Sequence, residues 1–305
     1  MKVATHDGSF HADEVFAIAV LSLLGEPVEV VRTRDPAAMA GCDVRVDVGF
    51  VYDPATGGFD HHQRGGAGER PNGVRYASFG LVWREYGARL CGGDVEVAAR
   101  VDQSLVQGVD ANDAGQALSA PLLDGVWAMT VSGVIGTLNP TWEERLSAQE
   151  ERARFDEALA LAARVVEREI AVASAAQNAA RLVVDAIVRA RDPRLIALDR
   201  DLPWKEVVVA QAPEALFVVY PKRSGWGLEA VPRALGSFEN RRDLPEAWAG
   251  LDGPELAALT GVEDAVFCHA KRFLAVARSP EGIAALAEQA LANSTHPSPG
   301  DRSPR

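Results

Sequence analysis

Six histidines occur in the 305 residues, and four of them (His6, His11, His61 and His62) fall before residue 63, each within a few positions of an aspartate. The first pair stands in Thr5-His6-Asp7-Gly8-Ser9-Phe10-His11-Ala12-Asp13-Glu14, the second in Gly58-Phe59-Asp60-His61-His62-Gln63. Neutral imidazole with carboxylate suits Mn, Fe, Co, Ni or Zn, whereas Ca and Mg sites favour oxygen alone. Against this stands a plain alternative, an acidic surface with stray histidines or a capped helix start, and the pattern's continuation at Asp47 and Asp110 weighs against that alternative. Together His6, His11, Asp13, Asp47, His61 and Asp110, with His62 and Asp113 close by, are too many ligands for one tetrahedral zinc. They suit two divalent ions about 3.5–4 Å apart that share a carboxylate and activate a bridging water, chemistry fit for in-line displacement at phosphorus.

Such residues need a frame. Val3-Ala4-Thr5 reads as a short buried strand, 13–24 as a helix with Phe16, Val20, Leu23 and Leu24 on one face, and 28–32 and 44–48 as further strands. Strand, helix, strand in that order predicts a parallel sheet, whose carboxyl edge gathers ligands. Asp47 then stands near a strand end, the best candidate for the shared carboxylate. Helices are expected over 78–90 and 94–106, followed by a polar, Gly-bounded loop over 108–115 that holds Asp110, Asn112 and Asp113. A helix C-terminus with an Asx turn is the other reading of that loop. Asn139 is a cap candidate for a long helical stretch to about Arg191, as one helix or two in series. Strands over 195–198, 207–210 and 215–220, a Gly- and Pro-rich loop over 221–232, a strand over 265–269 and a helix over 281–291 make up a second α/β domain. The expected fold class is α/β: a parallel-sheet N-terminal metal-binding domain (1–140), a long helical connector (141–192), a smaller α/β C-terminal domain (193–292) and a disordered tail (293–305).

The formal net charge is −12 and the pI about 5.0, so a whole-chain basic footprint for gripping long duplex nucleic acid is missing. Phosphorylated substrates stay open, since metal ions bring positive charge themselves. Cys42, Cys91 and Cys268 are odd in number and far apart, and read as reduced thiols. With neither an apolar leader nor an uninterrupted apolar run of membrane length, a cytoplasmic protein without a membrane partner is expected, homo-oligomerisation being left open. Gly65-Gly66-Ala67-Gly68 lacks the Lys-Ser/Thr of a P-loop and reads as a mobile loop.

His-x4-His-x-Asp, then Asp-Val-Gly, Asp-His-His-Gln and Asp-Ala-Asn-Asp-x-Gly together resemble the DHH phosphoesterase superfamily, which includes family II inorganic pyrophosphatases, RecJ-type exonucleases and nanoRNases. Thr-His-x-Gly-x-Phe-His-x-Asp-Glu, Tyr-Asp-Pro, Phe-Asp-His-His-Gln-Arg-Gly, Leu-Asn-Pro-Thr-Trp and Arg242-Asp243-Leu244-Pro245-Glu246-Ala247-Trp248 are similar to its melanocyte-proliferating-gene (MYG) exonuclease branch, and the resemblance runs over residues 2–291. It implies that His6, His11 and Asp47 hold one ion, and that Asp13, Asp47, His61 and Asp110 hold the other. His62 would stabilise or protonate the leaving oxygen, Asp60 would orient a histidine through its free ring nitrogen, and Asp113 would face the substrate. The superfamily's C-terminal domain closes over the active site, and the candidates there for phosphate or a terminal nucleotide are Arg233, Arg241, Arg242 and His269, with Lys222 and Arg223 as further cations. The chain departs from the pyrophosphatase spacing His-x3-Asp-x-Asp, since one carboxylate becomes imidazole at His11. The metal is therefore open: Mn2+ first, with Mg2+, Co2+ or Zn2+ as alternatives. A Gly-Gly-Gly-His motif is missing, and Phe267-Cys268-His269 stands in the analogous place. The resemblance implies a two-metal phosphodiesterase that hydrolyses RNA or short oligonucleotides from an end to nucleoside monophosphates. The alternatives are a small-molecule phosphatase (nucleotide bisphosphate, cyclic dinucleotide or pyrophosphate) and a non-catalytic metal- or nucleotide-binding protein.

Overall fold

The computed structural model describes residues 1–293, and the tail expected to be disordered lies, beyond Asn293, outside the described residues. Strand β1 (Lys2–Thr5), helix α1 (Ala12–Leu23), strand β2 (Glu29–Arg32), helix α2 (Pro36–Ala40), strand β3 (Val44–Val46) and the short strands β4 (Tyr52–Asp53) and β5 (Gly58–Phe59) open the chain. The sheet order is β2-β1-β3-β5-β4. Pairing is parallel for β1 with β2, β1 with β3 and β3 with β5, and antiparallel for β4 with β5. Parallel neighbours bring their carboxyl ends to one edge. The residues just past β1, β3 and β5 are His6, Asp47 and Asp60, which therefore emerge side by side. Helix α1 is buried from Ala12 to Leu21, an apolar rod against the sheet whose exceptions are Asp13 and Glu14.

Helix α3 (Ser78–Leu90) packs on α1, with the Phe16 and Phe79 rings stacked at 5.2 Å. Helix α4 (Val95–Val101), a π-helical turn (Asp102–Val106) and helix α5 (Gln107–Asp113) then follow without a break. The loop expected over 108–115 is thus mostly helix. Burial of Val109, Asp110 and Ala111 carries α5 through Gly108, whose intrinsic helix penalty is about 1 kcal/mol. Helix α6 (Val131–Gly136) precedes helix α7 (Ala148–Arg189), which begins after Ser147 and not at Asn139. The Ser147 N–H donates to Glu150 Oε2 at 2.7 Å and the Glu150 N–H returns to Ser147 Oγ at 3.3 Å, a reciprocal cap. Helix α7 has the length and composition of a membrane span, and its Phe155, Ala158, Ala162, Val166, Val183 and Ala186 are buried.

The chain divides into two compact units, Met1–Ala175 and Ala176 onward. The second carries strand β6 (Leu195–Ala197), helix α8 (Lys205–Gln211), strands β7 (Phe217–Lys222) and β8 (Gly225–Ala230), helix α9 (Gly253–Thr260), strands β9 (Ala265–Cys268) and β10 (Leu274–Ala277) and helix α10 (Pro280–Ala292). Its sheet runs β6-β7-β8-β10-β9, parallel between β6 and β7 and antiparallel elsewhere. Two expectations are corrected here. The β-branched run over 207–210 is helix α8, because Val207 and Val208 bury against Ile196 and Val218, and packing overrides propensity. The stretch expected as a loop over 221–232 holds β8, joined to β7 through Lys222 and Gly225. Gly225 has φ 128°, and a Cβ there would stand 2.5 Å from the Ala277 carbonyl oxygen, so glycine is required at that turn.

Candidate metal centre

Asp47 is the junction of the carboxyl edge. It adopts φ 57°, as does Phe50, and Gly49 between them has φ 102°. A left-handed conformation in a non-glycine residue costs about 1 kcal/mol or more and accumulates at functional sites. The turn aims the 5 % exposed Asp47 at three imidazoles. Its Oδ2 is 3.4 Å from His6 Nε2, and its Oδ1 is 3.3 Å from His61 Nε2 and 3.4 Å from His62 Nδ1. His6, His11, Glu14 and Asp47 form one group able to hold a cation, Asp47, His61 and His62 a second, and Asp13, His61 and Asp113 a third.

The donor set fits such an ion. His6 Nδ1 donates to the Asp7 carbonyl at 3.0 Å, which turns the Nε2 lone pair toward Glu14 Oε1 at 3.0 Å. Neither His6 Nε2 nor His61 Nε2 has an aligned hydrogen bond, although both are buried and face carboxylate oxygens. Electron-pair donors converging on a point without a proton between them are the arrangement a cation completes. In the metal-free chain protons fill that role. Burial works against charge on His6, but Asp47 and Glu14 outweigh it and raise its pKa to about 10. Burial opposes His61 as well, yet Asp113 and Asp47 raise it to about 11. Burial would raise Asp47, and the imidazoles of His6 and His61 hold it below the ordinary carboxylate range instead. Asp13, buried beside Asp47 and Asp113, is pushed well above that range.

Glu14, which is not among the expected ligands, is fully buried and also accepts the His11 backbone N–H at 2.9 Å. Asp13 accepts the Ser78 and Phe79 N–H groups at 3.0 and 2.7 Å, capping α3 from α1, and Ser78 Oγ donates to Asp47 Oδ1 at 3.1 Å. Asn139, read as a helix cap, clasps Phe10 instead: Oδ1 accepts its N–H at 2.8 Å and Nδ2 donates to its carbonyl at 2.7 Å, fixing the loop between His6 and His11.

Asp110, expected among the ligands, is engaged elsewhere. Its Oδ2 accepts from Arg70 Nη1 at 2.7 Å and its Oδ1 from the Gly80 N–H at 2.8 Å, and Arg70 Nη2 also grips Asp102 at 2.6 Å. Burial still raises Asp110 to about 7 against the pull of Arg70. The α5 carboxylate that reaches the centre is Asp113, one turn later, with Oδ2 3.0 Å from His61 Nε2. Asp60, fully buried, accepts the Phe50 N–H at 2.6 Å and the His62 N–H at 2.9 Å, and holds His62 Nδ1 at 2.8 Å. The histidine it orients is therefore His62, whose ring is half-exposed. A cleft of about 370 Å3, lined by His11, Asp13, His62, Asn112, Asp113 and Ser132, opens beside the group. Another of about 350 Å3 runs from His61 along Gly65–Gly68.

In the second unit, Arg241, expected as a substrate contact, is engaged by the backbone. Its guanidinium donates to the carbonyls of Val209 (2.9 Å), Ala215 (3.0 Å) and Ala212, closing the end of α8. Exposed Arg233 lies 4.0 Å from Glu239, and Arg242 is half-buried. His269 accepts the Lys271 N–H on Nδ1 at 3.1 Å and packs against Phe273 at 4.4 Å.

A family model named MYG1 exonuclease and described as an uncharacterised protein family (UPF0160) matches residues 2–291. Similar relatives include the MYG1 exonucleases of Bos taurus and Homo sapiens, each 32 % identical, over 98 % and 97 % of this chain and 86 % and 87 % of their own lengths. A MYG1 protein of Chlamydia pneumoniae is 33 % identical over 90 % of this chain and 91 % of its own. With its His, Asp and Glu groups gathered at one sheet edge and this similarity along nearly its full length, the chain belongs to the MYG1 exonuclease family.

Proposed function

We propose that this chain is a metal-dependent phosphodiesterase of the DHH type that removes nucleoside monophosphates from an end of RNA or short oligonucleotides. The observation that carries the reading is Asp47, which belongs to the group on His6, His11 and Glu14 and also faces His61 Nε2, the atom that Asp13 and Asp113 approach. His6, His11, Glu14 and Asp47 would hold one divalent ion, and Asp13, Asp47, His61 and Asp113 the other, with Mn2+ first among the candidates. Bound there, the pair supplies Lewis-acid charge and a water acidic enough to ionise near neutral pH. His62 keeps its ring at the mouth of the cleft, held through Nδ1 by Asp60, so that Nε2 is free to deliver a proton to a leaving oxygen. Asp60 fixes the orientation of the ring for this role. The clefts beside the centre are of nucleotide size, and the names of the mammalian relatives point to nucleic acid as the substrate. The net charge of −12 favours short strands over long ones.

The test is metal-stripped protein reloaded with Mn2+ and given end-labelled short RNA and DNA, with pyrophosphate and cyclic dinucleotides alongside. Stepwise shortening to mononucleotides, lost in Asp47→Ala, is the expected result. Cleavage of a small phosphate compound alone would make the protein a metabolite phosphatase. No cleavage with metal bound would make it a non-catalytic binder.

A further inference from the structure

From Ala114 to Trp142, Asp124 is the one charged residue, in a chain that is 24 % charged. Most of this stretch is an arm over 117–129 without helix or strand, and both of its ends are fixed. At one end Gln116 donates to the Gly73 carbonyl at 2.9 Å and accepts the Arg75 N–H at 2.9 Å. At the other, Thr130 Oγ1 caps α6 through the Gly133 N–H at 3.0 Å. The tip is a defined turn: the Val126 N–H donates to the Leu123 carbonyl at 3.1 Å around Gly125, whose φ is 71°. Leu118, Leu122, Leu123, Val126, Trp127 and Met129 are all exposed on this arm, Leu122 at 97 % and Trp127 and Met129 at 72 % each.

That surface is too large and too uniform for incidental exposure. At roughly 150–200 Å2 for each large side chain, the exposed fractions amount to roughly 700 Å2 of apolar surface, near the about 800 Å2 that each partner buries in a standard interface. Its composition selects the occupant. A nucleic-acid strand or an anionic bilayer would call for Lys or Arg, and the stretch has neither. A second copy of this chain brings its own −12 charge, and copies that repel at a distance need an uncharged, apolar contact. A two-fold contact brings the same patch of each copy together, so one uncharged apolar arm per chain supplies both sides of it.

We propose that the arm over 117–129 is the contact through which two copies of this chain form a dimer. Because α5 ends in Asp113 just before the arm and α6 lines the cleft just after it, the contact borders the metal centre in each copy. The test is light scattering coupled to size exclusion on the full chain at micromolar concentration, in low and high salt. The expected wild-type mass is twice 32.5 kDa, with tighter association at high salt as the net charges are screened. The variant Leu122→Ser/Leu123→Ser/Trp127→Ser alters exposed side chains only, so its circular dichroism and metal content should match wild type while the dimer weakens by about 100-fold or more. A wild-type chain that stays monomeric, or a variant that dimerises as well as wild type, overturns the proposal. A monomeric wild type whose arm variant loses substrate affinity would assign the arm to the substrate instead.

Discussion

Two five-stranded sheets of similar size treat their buried polar groups in opposite ways. In the second unit Glu229, 8 % exposed, accepts from the Tyr220 hydroxyl and pairs with Lys205 Nζ at 2.8 Å, and Arg241 is absorbed by three backbone carbonyls. In the first unit, His6 Nε2 and His61 Nε2 are buried without an aligned partner, beside carboxylates that repel one another. Among the described residues, every buried side-chain nitrogen or oxygen lacking a hydrogen bond belongs to Thr5, His6, His61 or Gln63, at or beside the carboxyl edge of the first sheet. Strand direction accounts for the difference. Three adjacent parallel strands deliver His6, Asp47 and Asp60 to one edge, whereas mainly antiparallel strands alternate their ends and have no common edge at which to concentrate charge.

The largest effect expected from breaking this contrast is at Asp47. Asp47→Asn should remove about 4 kcal/mol of transition-state stabilisation, a factor of about 1000 in turnover, and lower the bound-metal content. Turnover rates and metal analysis check both. Next is Gly80→Ala: a Cβ there would stand 1.9 Å from Asp110 Oδ2, which Arg70 prevents from moving away, so a loss of about 2–3 kcal/mol in unfolding free energy is expected, read from urea denaturation as a lower midpoint. Arg241→Ala sharpens the comparison from the other side. It should cost about 2 kcal/mol by freeing the carbonyls of Val209 in α8 and of Ala215 beyond it, while metal content stays at the wild-type level. A rise in KM at unchanged stability would return Arg241 to the substrate.

The pH response is a gentler test. His6 and His61 have folded-state values of about 10 and 11, above their ordinary 6.5, so the stabilisation they give the metal-free chain is complete below about pH 6.5 and lost as pH rises toward 10 and 11. The Tm of stripped protein should therefore fall over that window. Metal-loaded protein should lack this loss and instead weaken on acidification, as protons compete for the imidazoles. The smallest effect concerns the thiols: burial pushes Cys91 and Cys268 up to about 11, so both should react slowly with thiol reagents at neutral pH.

The α/β class and the place of Asp47 near a strand end were legible in the short apolar runs over 3–5 and 44–48, whereas β5, which delivers Asp60, consists of Gly58 and Phe59 alone and is too short to show a period. What sequence spacing hides is rotation around a helix. Asp110 and Asp113 differ by one turn of α5, and which of them faces the centre depends on how α5 sits after the π turn, and on Arg70 from 40 residues away. Glu14 was overlooked for a related reason: beside Asp13 it reads as a helix-start acid, and burial against His6 turns it into a candidate ligand. Helix α8 was hidden by its valines, since their strand propensity is overruled only by contacts with β6 and β7.

The Asn139 clasp on Phe10 has a consequence for how the centre is assembled. It joins residues 129 apart, and the Asp13 cap on α3 joins residues 65 apart, so the His6–His11 loop takes its shape only after much of the first unit has been made and closed. During synthesis β1 and α1 emerge before the rest of the first unit, yet the site they carry is among the last parts of the unit to acquire its geometry. The same two long-range closures are where the site would first loosen when the first unit opens.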